Sequence, residues 1–163
     1  MVIDTNNFTA KTGVRTFEAA AFLRRCGADV TRVRKMFRDD VKSYKAKAEA
    51  IRNVETYKGS FAISVCPSEG IDSPTVVASQ AANELLNVDS IRASFVLTDY
   101  QNKIYISARA IDEVNVQIIM ERLGGGGHIN MAGAQLPGIS VNEAIRQLKE
   151  TLDKMMKEGD IEA

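Results

Sequence analysis

Apolar positions change their spacing near residue 60. Before it they recur every three or four residues, the period of helices; after it short β-rich runs alternate with helical ones. Residues 14 to 26, VRTFEAAAFLRRC, predict a helix with Phe17, Ala20, Ala21 and Phe22 or Leu23 inward, stopped by Gly27. Asp29 can cap a short helix over VTRVRKMF, and Asp39 a longer one over 40 to 57. In the longer helix Val41, Tyr44, Ala48 and Ile51 form a narrow stripe, and Lys42, Lys45, Lys47 and Arg52 lie on the other side. Those lysines read as a solvated face rather than a phosphate-attracting one, and the helix as a connector.

FAISVC (61 to 66) reads as a strand, and Ser73 with Pro74 as the N-cap and first residue of a helix to about residue 87 that buries Val77, Ala81 and Leu85. IRASFVLTD and KIYISARA read as strands of a hairpin turning at YQN. NVQIIMERL reads as a helix capped by Asn115, and AGAQL as a short strand. Ser140 and Glu143 have capping-box spacing ahead of a last helix that buries Val141, Ala144, Ile145, Leu148, Leu152 and Met155. Met155 and Met156 read as core filler, and KEGDIEA as a fraying tail. From residue 60 the order is β-α-β-β-α-β-α, an α/β (α+β) fold with a mixed sheet flanked by helices. The predicted segments are 1–37, a connector over 38–58, and a domain over 59–158.

At the other end, VID reads as the close of a buried strand, which points to a segment cut from a longer chain. The 163 residues are 45% hydrophobic, enough for a sizeable core. Lys plus Arg equals Asp plus Glu at 21 each, which argues against binding long nucleic acid through bulk charge and leaves room for a nucleotide pocket. Two cysteines without metal-type spacing and no visible signal peptide fit a reducing, cytosolic setting. No apolar run approaches the roughly 18 residues of a membrane span.

The chemistry concentrates in MERLGGGGHINMAGAQL. Gly124, Gly125, Gly126 and Gly127 run into His128, the one histidine of the chain. Consecutive glycine amides can form a concave nest for anions, and a helix turn beginning at HINMAG would add partial positive charge there. His128 would add a hydrogen bond or a charge. The competing reading is a helix-terminating loop with an incidental histidine. Ser107 and Arg109 lie two apart on a strand and share a face; Arg109 suits a phosphate or a base, and the competing reading is a surface residue or a structural ion pair. Asp4 follows the apolar VI at a position common for metal ligands, although a lone aspartate there reads first as a turn residue. No second cluster completes a two-metal site, and no Ser–His–Asp set is visible.

LGGGGHINMAGAQL resembles the signature of the DHHA1 domain, the C-terminal partner of the DHH phosphoesterase domain. SFVLTDYQNKIYISARA and NVQIIMERLGGGGH resemble the strand and helix ahead of that signature. The four-glycine form with VNVQ and MAGAQL is most similar to the GdpP type of cyclic di-AMP phosphodiesterase, and VIDTNNFTAKTGVRTFEAAAFLRRCGAD to the end of its DHH domain. The resemblance implies hydrolysis of cyclic di-AMP to pApA with two Mn²⁺ ions in the DHH domain. It implies nucleotide binding by glycines 124 to 127 and His128, with Ser107 and Arg109 beside them. His128 as a general base ranks below this role. Asp4 matches the last metal-binding aspartate.

The DHH motif and the remaining metal ligands do not occur in this sequence. Residues 1–37 then read as the end of a DHH domain, docked less firmly without their partner, and the chain alone is expected to be inactive. Cytoplasmic placement is expected, in a longer protein anchored in the bacterial membrane, with no membrane contact by this segment. Two alternatives use the same signature: a DHH oligoribonuclease or RecJ-like nuclease acting on short oligonucleotides, and a non-catalytic module like that ending alanyl-tRNA synthetase. The oligomeric state stays open, a homodimer included.

Overall fold

In a computed structural model of the chain, the described residues are all except 6, 9–11, 112–113 and 163. They form two compact units, Met1–Asp39 and Asp40–Ala163.

The first unit holds two helices, α1 (Val14–Arg25) and α2 (Val30–Met36). Gly27 ends α1 as expected, at φ 93°, with its N–H on the Arg24 carbonyl and that of Ala28 on the Leu23 carbonyl. Asp29 caps α2 by accepting from the amides of Thr31 (2.9 Å) and Arg32 (3.3 Å). Two expectations are corrected. Residues 2–5 form turns rather than a strand end, and α1 has no buried residue. Phe17 stacks on Phe8 with centroids 5.8 Å apart and still stays exposed, as do Phe22 and Leu23. A unit this short cannot enclose a stripe of that size.

The second unit is a mixed sheet between two helical layers. Its strands are β1 (Glu55–Tyr57), β2 (Phe61–Val65), β3 (Ala93–Tyr100), β4 (Lys103–Ala110), β5 (Gly126–His128) and β6 (Met131–Pro137), in the order β1-β2-β3-β4-β6-β5. Only the β2–β3 pair is parallel, joined through helix α4 (Pro74–Leu85). The other helices are α3 (Val41–Arg52), α5 (Val116–Arg122) and α6 (Val141–Glu158). The predicted order lacked β1 and β5.

Strand alternation divides the core. Phe61, Ile63, Phe95, Leu97, Ile104 and Ile106 face α5 and α6, meeting Ile119, Met120, Leu148, Leu152 and Met155. Truncating a fully buried leucine such as Leu152 to alanine costs about 2–5 kcal/mol. Ala62 and Val96 face the opposite layer, where alanines of α3 and α4 allow close approach. Buried hydroxyls tie that layer down: Ser64 donates to the Ala50 carbonyl (2.5 Å) and Ser94 to the Ala82 carbonyl (2.7 Å). Both helices thus spend otherwise unpaired carbonyls on the sheet.

Several local readings shift. Asp40, not Asp39, caps α3, accepting from the amides of Lys42 (2.8 Å) and Ser43 (3.0 Å). That helix ends at Arg52 because residues 55–57 pair with β2. It buries Ala46 and Ala50, and leaves Val41 and Tyr44 of the expected stripe exposed. Ser73 stands at the N-cap of α4 without a side-chain capping bond. The tail does not fray at once: Gly159 takes the left-handed conformation, Asp160 N–H bonds the Met155 carbonyl (3.0 Å), and Ile161 is buried in the core. Arg122 clamps it through Glu158 (2.6 Å) and Asp160 (2.5 Å).

Candidate functional site

The β3–β4 hairpin sets the site. Gln101 and Asn102 take φ of 52° and 58°, the paired left-handed turn that suits strand twist. It fixes Tyr100 opposite Lys103, so the even positions Ile104, Ile106 and Ala108 face the α5–α6 core. Tyr105, Ser107 and Arg109 therefore face the α4 side, and the shared face of Ser107 and Arg109 is the one their spacing predicted.

The glycine run does two structural jobs. Gly124 and Gly125 end α5, with the Gly124 N–H on the Glu121 carbonyl (3.0 Å) and the Gly125 N–H on the Met120 carbonyl (2.8 Å). Two amides expected in an anion nest are thereby used up. No helix begins at HINMAG. Gly126 to His128 form β5 instead, turn at Ile129–Asn130, and pair antiparallel with β6. The hairpin tip is pinned by the amides of Ala110 and Val116 on the carbonyls of Asn130 (3.1 Å) and Ile129 (2.9 Å).

Close approach accounts for two of the four glycines. A Cβ on Gly125 would lie 2.1 Å from the Gly133 carbonyl oxygen, and one on Gly127 would lie 2.5 Å from the Met131 carbonyl oxygen and the Ala132 Cα. Gly124 adopts φ 76°. Gly126 differs: a Cβ there would meet nothing within 4 Å.

A cleft of about 550 Å³ opens on the α4 side of β4 and β6. Ser107, Gly124, Gly125 and Gly126 line it, joined by Thr75 from the first turn of α4, Tyr105, Gly133 and Gln135. These last four were not singled out from sequence, although the period of two leads from Ser107 to Tyr105, and the alternation in AGAQ leads to Gly133 and Gln135. Gly127, Arg109 and His128 do not line the cleft. Arg109 lies one register pair further along, opposite Met131, which in turn pairs with His128. Its Nη1 donates to the Ala108 carbonyl (2.8 Å) and its Nη2 to the Ser79 hydroxyl. Its buried Nε has no hydrogen-bond partner. Burial lowers its pKa, yet an arginine stays charged at neutral pH. His128 is exposed. The arrangement offers a hydroxyl, a bare glycine floor and a half-buried guanidinium at its edge.

Asp4 belongs to the first unit. Its side chain is 82% exposed, and its carboxylate accepts from the terminal amine at 3.0 Å. Among the described residues no group of three or more His, Cys, Asp or Glu side chains could hold a metal ion. The described residues therefore do not supply the donor set of a two-metal centre.

This chain belongs to the DHHA1 domain family, whose model matches residues 58–158. It is 42% identical over 161 residues to the cyclic-di-AMP phosphodiesterase GdpP of Bacillus subtilis, and 40% identical over 158 residues to the cyclic-di-AMP phosphodiesterase PdeA of Listeria monocytogenes. The matches take in 98% and 96% of this chain, which spans about a quarter (24%) of the length of either relative. An exopolyphosphatase-related protein from Bacteroides fragilis shares the fold, with a TM-score of 0.83 at 20% identity over 95% of this chain and 48% of that one.

Proposed function

We propose that the chain is the nucleotide-binding part of a phosphodiesterase that hydrolyses cyclic di-AMP to pApA. The observation that carries this reading is the convergence of Ser107 and Gly126 on one cleft of nucleotide size, in a chain 40–42% identical to two cyclic-di-AMP phosphodiesterases. Ser107 donates to a phosphate oxygen, and the bare Gly126 lets the phosphate approach the β5 backbone. Arg109 supplies positive charge from the edge, and His128 approaches from the hairpin. The described residues of the chain bind and orient; hydrolysis needs a centre they do not assemble. The pair of manganese ions implied by the resemblance is assigned to the longer protein, with Asp4 offering one carboxylate. The chain alone is then inactive. No helix among the described residues is long and apolar enough to cross a membrane, so the expected anchor is likewise assigned to the longer protein.

Titration with pApA, cyclic di-AMP, AMP and a short oligoribonucleotide, followed through amide NMR shifts, tests this. Shifts gathered at Ser107 and Gly124 to His128, reduced in Ser107→Ala and His128→Ala, support it. A tighter response to the oligoribonucleotide moves the substrate class to short RNA. No shift at millimolar ligand sinks the reading.

A further inference from the structure

Side-chain chemistry changes along the cleft face in steps of one register pair. Arg109 stands opposite Met131, Ser107 opposite Gly133, and Tyr105 opposite Gln135. Successive pairs on one face lie about 7 Å apart along the strands. The first pair brings a guanidinium, the second a hydroxyl beside a bare glycine, the third a phenol ring and a primary amide. The cleft lies over the second and third pairs, with Thr75 above, and stops short of the first. Its volume of about 550 Å³ is far more than a phosphate fills. A phosphate held beside Ser107 and Gly126 therefore leaves the sugar and base to occupy the Tyr105–Gln135 end. The opposite direction is occupied by Arg109, tied to Ser79 of α4.

The two residues at that end suit a base. Tyr105 packs on Tyr100 with centroids 6.3 Å apart, which supports its ring from the side. Gln135 is exposed, and its Oε1 accepts from Lys103 Nζ across a long 3.4 Å. A glutamine amide can pair with adenine twice, donating to N7 and accepting from N6, whereas guanine presents two acceptors at those places.

We propose that Tyr105 and Gln135 form the base-recognition end of the cleft, with the Gln135 amide selecting adenine over guanine. The proposal rests on the nucleotide-binding reading above.

The test compares pApA, pGpG and ribose 5-phosphate on the full chain, as wild type, Gln135→Ala and Ser107→Ala. Wild type should prefer pApA to pGpG. Gln135→Ala should weaken pApA about tenfold, within the range for one bidentate base contact, and bring the two dinucleotides level. Ribose 5-phosphate, which has no base, should bind Gln135→Ala as it binds wild type. Equal affinity of wild type for both dinucleotides, or an unchanged ratio in Gln135→Ala, overturns the inference. If Ser107→Ala still weakens every ligand in that case, the cleft reading survives without it. Equal loss of ribose 5-phosphate in Gln135→Ala reduces Gln135 to a structural part and overturns the inference too. Failure of wild type to bind any of the three overturns both.

Discussion

Gly125 and Gly133 lie so close that a Cβ on the first would sit 2.1 Å from the carbonyl oxygen of the second. The nearest reason for a glycine at 125 is thus the protein's own neighbouring strand. Gly127 stands against Met131 and Ala132 in the same way, and Gly126 against nothing. This division sorts the glycine run into parts with different consequences.

Gly125→Ala and Gly127→Ala should each destabilise the fold by about 3 kcal/mol, since backbone has to move to admit the methyl. Gly126→Ala should leave the melting temperature unchanged and weaken pApA binding, because its methyl would enter the cleft. Thermal melts and ligand titrations on the three variants check this. A Gly126→Ala protein with full affinity would remove that glycine from the site.

Arg109→Lys should bind nucleotide about as poorly as Arg109→Ala. A lysine ammonium is a point charge and cannot reproduce the fork that reaches Ser79 and the Ala108 carbonyl together. Full affinity in the lysine variant would show that charge alone matters there.

Tyr57 donates to Asp153 at 2.8 Å, and Lys58 pairs with the same carboxylate at 3.1 Å. Burial first, then the bond to Asp153, pushes the Tyr57 phenol up to about 12. A raised folded-state pKa contributes stability that is full below the unfolded value near 10 and is lost as pH climbs through about 12. The bonds from Tyr57 and Lys58 hold the Asp153 carboxyl below its ordinary value, so its contribution fades at the acid end. Denaturant titrations of Tyr57→Phe should show a smaller loss of stability between pH 10 and 12 than wild type. Identical alkaline slopes would refute the assignment.

Cys66 is buried, and burial raises its thiol to about 11, whereas Cys26 is exposed. Thiol titration at neutral pH should count one fast-reacting cysteine in the native chain and two in denaturant. Two fast equivalents in the native protein would mean that the α3–α4 layer opens readily.

How much of this was legible depended on how local each determinant was. Asp29 and Asn115 cap their helices through amides two and three residues away, and the period of two on β4 puts Ser107 and Arg109 on one face. Neighbouring residues settle such features, so the sequence by itself determined most of the elements, the mixed α/β class and the family signature. Tertiary structure decided the rest. Glycine is a poor strand former, so Gly126 to His128 become a strand only because β6 lies alongside to pair with them. Residues 55–57 leave the helical pattern for the same reason, with β2 as partner. Tyr105, Gly133 and Gln135 share a cleft with Thr75 because α4 starts above β4, a packing no local spacing encodes. Pairing and packing draw on partners distant in the chain, and their free energy outweighs the local preferences that the sequence displays.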